Sequence, residues 1–323
     1  MNILGLSLEL ILATIIVVSI VIYALTGGAD FGGGIWDLLA FGPRKHEQRK
    51  AISSLIGPIW EANHVWLIIV IVLLFTIFPS AYTAMMGGLF IPLMLILFGI
   101  VLRGAGYAFK QYDPKKDKIY YAWSKVFGIA SFLTPFFLGI TLGSLASGSI
   151  GEMNAFVISC GLFSQGLFAF LAATYIAADL RNDPILRRDF RKRALFSALS
   201  LAPVAALVYF LAMQDAEYLF QKIHTIWAPY LLSAASIAAL TAIYALVKEK
   251  YELARYAAAT QVAVIISGWA LAQFPYLVIP THTIYNSHAP EITMQLVLVA
   301  LLLGGVLLIP SLFFLFYIFD RKM

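Results

Sequence analysis

Apolar stretches long enough to cross a lipid bilayer follow one another almost without interruption along this chain, and that succession limits what it can fold into. Taking about 20 residues per crossing, nine such segments are expected, at residues 7–41, 50–78, 81–109, 121–145, 153–178, 192–213, 225–247, 253–275 and 293–319. In lipid every backbone polar group must be satisfied internally, so segments of this kind are read as helices. Of the 323 residues, 61% are hydrophobic and 12% charged, against about 25% charged in soluble domains. The expectation is an all-α integral membrane protein of one polytopic domain, residues 1–323, with no room for a water-soluble module.

Loop charges give orientation. Twenty lysines and arginines gather in alternate loops and at the C-terminus, while the intervening loops hold only Lys222. The positive-inside rule then places the N-terminus outside and the C-terminus in the cytoplasm, with an odd number of crossings. Because the net charge of +5 comes from short loops, it sets topology and argues against a nucleic-acid partner. The single cysteine, Cys160, excludes disulfides and cysteine-ligated clusters and reads as packing. The N-terminus lacks the basic region and cleavage site of a signal peptide, so it is expected to remain as the first span.

Chemistry concentrates in the first three spans. A charged side chain at the bilayer centre costs about 2.5 to 3.5 kcal/mol on insertion scales and marks a functional candidate. The stretch GPIWEANHVW places Glu61 and His64 in span 2, one helical turn apart on one face. Asp30 and Asp37 lie in span 1 beside five glycines within eight positions, Gly27, Gly28, Gly32, Gly33 and Gly34. Such glycines mark a tight helix contact, or a backbone, lipid tail or water passing beside Asp30. Counting from the basic loop puts Asp30 and Glu61 level, about 18 to 20 Å deep on neighbouring helices, with Asn63 beside Glu61 and with Ser53, Ser54 and Asp37 shallower. Arg103 in span 3 either offsets a carboxylate or snorkels. Such a ladder suits proton movement, and equally a polar knot that keeps helices in register.

Metal readings are weaker. Glu61-x-x-His64 has the spacing used in di-iron bundles, yet the chain has no second such pair. His46 falls in a cytoplasmic loop and His224, His282 and His288 fall on the outer side, so a bis-histidine haem within this chain is disfavoured; a mixed ligand set with methionine stays open. Gly139 and Gly143, spaced as GxxxG, predict a close internal helix contact. The outer connection 276–292 predicts a capping loop.

Four segments resemble subunit II of the bd-type quinol oxidases: GGADFGGGIWDLL from Gly27, GPIWEANHVWLI from Gly57, RGAGYAF from Arg103, and SGWALAQFPYLVIPTHTIYNSHAP from Ser267. Glu61 stands where many members carry aspartate and His64 where some carry glutamate, which places the chain in a divergent branch, with the cyanide-insensitive type as candidate. The resemblance implies two four-helix bundles, residues 7–145 and 153–275, plus a peripheral helix at 293–319. It further implies a haem-free chain in the bacterial cytoplasmic membrane, beside a subunit I that holds haems b and d, or b only, oxidises quinol and reduces dioxygen to water. Small single-span subunits and lipids are further expected partners, and a structural quinone can be held. By position, Glu61 is the implied proton-pathway acid and Asp30 its helper, with His64 and Asp37 in the ladder and Arg103 as charge partner. A proton-coupled secondary transporter is the competing reading, weakened because the charged spans crowd into the first third, where inverted repeats would distribute them over two halves.

Overall fold

The computed structural model describes residues 2–3, 6–56, 60–112 and 118–320. Gly57, Pro58 and Ile59 of the span 2 motif, Lys115 and Lys116 of a basic loop, and Arg321 and Lys322 lie outside the described residues. A short antiparallel hairpin, β1 (Asn2–Ile3) with β2 (Leu6–Ser7), precedes α1 (Leu8–Leu38). There follow α2 (Lys45–Ile56), α3 (Trp60–Ile77), α4 (Pro79–Gly88), α5 (Phe90–Tyr112), α6 (Lys118–Ser147) and α7 (Ala155–Asp179). The second half holds α8 (Pro184–Asp215), α9 (Glu217–Lys222), α10 (Ala228–Val247) and α11 (Tyr251–Gln273), then a small hairpin, β3 (Tyr276–Val278) with β4 (His282–Thr283), and α12 (Glu291–Asp320).

Seven of these helices are long and apolar enough to cross a membrane, or eight if the bent pair α3 and α4 forms one span. The expected ninth, α11, does not reach that apolarity although its helix is present. It is rich in alanine, and Ala254, Ala258 and Val262 are fully buried against its neighbours. A helix can pack closely through small residues on one face, while its other face leaves Leu253, Tyr256 and Leu271 exposed. At the other extreme, no residue in the apolar window of α12 is buried, which sets it at the periphery of the chain.

Of the predicted span 50–78, residues 50–56 are helical in α2 and 60–77 in α3. The predicted span 81–109 differs from expectation and is divided. Pro79 opens α4 after Phe78 leaves helical geometry, at φ −124 and ψ 58, as the residue before a proline tends to do, and α4 departs from α3 at 116°. The break before α5 follows Gly87 and Gly88, where the backbone meets the 148–151 loop: a Cβ on Gly151 would lie 2.7 Å from the Gly88 carbonyl oxygen.

α1 is the hub. Its buried Phe31 and Ile35 share one core with Leu167–Ala178 of α7, with Phe190 and Ala194 of α8, and with Ala254, Ala257 and Ala258 of α11, so hydrophobic packing runs across the expected division between bundles. The glycine-rich segment serves close approach, since a Cβ on Gly32 would sit 2.0 Å from the Phe168 carbonyl oxygen of α7. Of the alternatives for that segment, another helix backbone is what passes there. Gly139 meets the expectation of an internal contact, a Cβ there lying 2.4 Å from the Cys160 carbonyl oxygen. Side-chain caps start two helices where the sequence offers them: Asn154 accepts from the Val157 amide at 2.9 Å, and Asp183, ahead of Pro184, accepts from the Leu186 amide at 2.9 Å. The 276–292 connection caps the outer end, with Val278, Ile284 and Ser287 buried and the Ala289 amide donating to the Ile77 carbonyl at 2.7 Å.

Candidate functional site

Polar side chains line a seam between α1, α3, α5 and α6. At its deep end Asp30, 8% exposed, accepts a hydrogen bond from Asn63 Nδ2 at 2.6 Å. The expected levelling of α1 and α3 is therefore met, with Asn63 as the residue that reaches Asp30. Tyr23, two turns before Asp30, brings its hydroxyl to 3.4 Å from His64 Nδ1. Phe31 closes the group, its ring centroid 6.2 Å from that of His64 and 4.9 Å from Arg103 Cζ. Arg103 is 1% exposed and interacts electrostatically with Asp30 and Tyr23.

The shallower end repeats this pairing. Asp37, 1% exposed, accepts from Lys110 Nζ at 2.8 Å and from Ser124 Oγ at 3.4 Å. Asp30 and Asp37 are seven residues apart on α1, and Arg103 and Lys110 are seven apart on α5. Seven residues fall about 20° short of two full turns and rise about 10.5 Å, so each helix presents both groups on one face. Asp37 and Lys110 form a direct ion pair, Asp30 and Arg103 interact electrostatically one such interval deeper, and the matching increments suit α1 and α5 running in the same direction.

Beyond the second rung lies a hydrogen-bonded network at the loop end. Arg49 Nε donates to the Asp37 carbonyl at 3.1 Å. Arg193 donates to Gln48 Oε1 at 2.7 Å and to the Trp36 carbonyl at 3.5 Å, and Gln48 donates to Asp189 Oδ2 at 3.1 Å. Arg44 forks onto Asp189 through Nε at 3.0 Å and Nη2 at 2.6 Å, and those bonds together with the carboxylate charge raise the Arg44 guanidinium above its ordinary value. Cations at the end of α1 also suit the exposed carbonyls of a helix C-terminus.

Glu61 stands apart. It is exposed in the first turn of α3, while His64, one turn later, is half-buried and turned toward Tyr23. The i, i+3 spacing aligned the two along the helix but did not bring both inside. Ser54 also leaves the ladder, donating to the Ala51 carbonyl of its own helix at 2.9 Å. Lys110, counted above among loop charges, is buried on Asp37; Arg193, counted likewise, is 8% exposed. Both lie near helix ends where a long cation can reach inward. Lys110, Tyr23, Ser124 and Phe127 were missed as site residues, although the equal spacings Asp30 to Asp37 and Arg103 to Lys110 were a signal open to reading.

Among the described residues no group of three or more His, Cys, Asp or Glu could hold a metal ion, and His64 sits with its ring against Tyr23 and Phe31. Cys160 packs against Gly143.

A sequence model of the family described as cytochrome bd terminal oxidase subunit II matches residues 8–319. The chain is 23% identical over 322 residues, 93% of its length and 92% of the relative's, to a Bacillus subtilis (strain 168) protein that carries the provisional name cytochrome bd menaquinol oxidase subunit II. It is 27% identical over 170 residues, 48% of this chain and 44% of the relative, to cytochrome bd-I ubiquinol oxidase subunit 2 of Escherichia coli (strain K12). A chain in the structure of bd oxidase from Geobacillus thermodenitrificans shares the fold, with a TM-score of 0.77 at 20% identity, covering 98% of this chain and 99% of that one.

Proposed function

This chain belongs to the cytochrome bd terminal oxidase subunit II family, and from that premise we propose that it is the haem-free member of a membrane complex, carrying protons from the cytoplasmic side to a haem-bearing subunit I. The complex is a cytochrome bd quinol oxidase, an oxidoreductase of respiratory electron transport. In this reading subunit I oxidises quinol and reduces dioxygen to water, and the present chain supplies docking surface and protons. Nine crossings with the N-terminus outside complete it, α11 counting as a span and α3 with α4 as one bent span.

The observation that carries the proton reading is the line of buried polar groups along α1: Asp37 paired with Lys110, Asp30 hydrogen-bonded by Asn63 and facing the charge of Arg103, continued toward the loops by Arg49, Gln48 and Arg193. Carboxylates held in this way can accept and release protons through bridging water. Glu61 supports the handover step. It lies two residues from Asn63, hence near the level of Asp30, on an exposed surface that continues along α3 through Ile68, Ile71, Val72 and Phe75. An apolar surface interrupted by one carboxylate is what a partner chain receiving protons would cover.

The test is the purified complex. Glu61→Gln and Asp30→Asn are each expected to lower quinol-dependent oxygen uptake by about 10²-fold or more, the usual contribution of a positioned proton carrier, while the haem absorbance of the complex stays as in the parent. Unchanged oxygen uptake in both variants would leave the chain as a docking scaffold and remove the proton role.

A further inference from the structure

Two rungs about 10.5 Å apart along the helix axis cannot exchange a proton directly, because a hydrogen bond spans about 3 Å. The side chain that touches both cations is Phe127 of α6. Its ring centroid is 5.5 Å from Arg103 Cζ and 5.3 Å from Lys110 Nζ, so one aromatic ring lies within cation–π reach of both Arg103 and Lys110. Phe127 is 3% exposed and is held from two directions. A Cβ on Gly106 of α5 would lie 2.8 Å from its backbone nitrogen, and one on Gly34 of α1 would lie 3.3 Å from its Cε1. The Tyr107 ring flanks it, centroid to centroid 6.0 Å.

An aromatic face tolerates both neighbouring cations, yet it has no atom that takes up a proton. We propose that Phe127 is the valve of the proton path: its ring separates the Asp37–Lys110 rung from the Asp30–Arg103 rung, and protons cross when the ring moves aside and water bridges them. The inference rests on the proton-uptake reading above. The water expected there has a reason to enter. Cavities lined only by apolar groups stay dry, whereas a gap opened by the ring beside the Arg103 guanidinium and the Lys110 ammonium would offer water polar partners. Transfer along such a bridge leaves each water as it began, accepting one proton and passing on another.

The experiment uses the assembled two-subunit oxidase carrying Phe127→Ala, Phe127→Leu or Phe127→Trp. Proton uptake is followed with a pH-indicator dye after the reduced complex is mixed with dioxygen, in H2O and in D2O. Uptake is expected to quicken in Phe127→Ala and, less, in Phe127→Leu, and to slow in Phe127→Trp. A change of roughly threefold or more in each direction would be a barrier change well within one tenfold step, with the D2O effect shrinking in the faster variants. Phe127→Leu carries the test should Phe127→Ala fail to assemble. Parental uptake and D2O ratio in Phe127→Leu, or slower uptake in the smaller variants, overturns the valve while Asp37→Asn still slows uptake. Should Asp37→Asn and Asp30→Asn also leave uptake unchanged, the proton reading itself fails and the valve falls with it.

Discussion

Acidic and basic side chains meet in two regions of this molecule under opposite conditions. In the seam between α1 and α5, Asp37 and Lys110 pair at 2.8 Å with side chains 1% and 5% exposed. At the loop end of the second half, Arg181 and Glu252 pair at 2.6 Å with side chains 68% and 45% exposed, and Arg191 and Glu249 pair at 2.6 Å with 21% and 57%. The bond lengths hardly differ. What differs is the surroundings: a water-accessible pair gains little over its hydrated components, whereas a buried pair cannot lose one member without stranding the other in a low-dielectric interior. Charge in the second half marks the membrane boundary and ties helix ends, while charge in the seam is committed to specific partners.

The largest expected effect comes from breaking the buried rung. Lys110→Met leaves the Asp37 carboxylate without its cation and is expected to destabilise the assembled complex by about 3–5 kcal/mol, read as an earlier loss of the haem spectrum on heating. The double variant Asp37→Leu with Lys110→Met is expected to recover most of that stability, since an apolar pair of similar volume replaces a buried ion pair with little net cost. It should not recover proton uptake. That split between assembly and uptake separates a path from a knot.

Packing gives the next effect and extends the comparison from charge to shape. Gly32→Leu forces side-chain atoms where even a Cβ would lie 2.0 Å from the Phe168 carbonyl oxygen, and overpacking costs about 1–3 kcal/mol or more. On the peripheral α12, Gly304 has nothing within 4 Å of an added Cβ. Gly304→Ala should raise the same melting midpoint slightly, because alanine is favoured over glycine in a helix interior by roughly 0.5–1 kcal/mol. If both substitutions destabilise alike, α12 is not peripheral in the complex.

Legibility in the sequence followed the same division. The membrane class, the helical content and the close packing at Gly32 and Gly139 could be read directly, since each depends on composition or on spacing along one helix. Depth was legible too, and the Asn63 to Asp30 contact agrees with simple counting. Partner choice across helices was not. Lys110 in a basic cluster reads as a topology signal, because the positive-inside rule treats all lysines near a helix end alike. Only the matching interval on α5 set it apart. Glu61 and His64 were correctly placed one turn apart, but periodicity gives the relative face of two residues and not which way that face turns. The break at Gly87 and Gly88 also escaped reading, because its cause is the 148–151 loop, about sixty residues distant in the chain.

The smallest expected effect provides the control on all of this. A double-mutant cycle on Arg181 and Glu252 should return a coupling of about 1 kcal/mol or less, falling as salt shortens the screening length below its physiological value of about 8 Å. The same cycle on Asp37 and Lys110 should return a larger coupling that salt barely alters, because mobile ions do not reach a pair buried between α1 and α5. Equal couplings, or equal salt sensitivity, would mean that solvent reaches the seam as freely as it reaches the loops. The rungs would then be ordinary surface pairs in the working complex, and Phe127 would separate nothing.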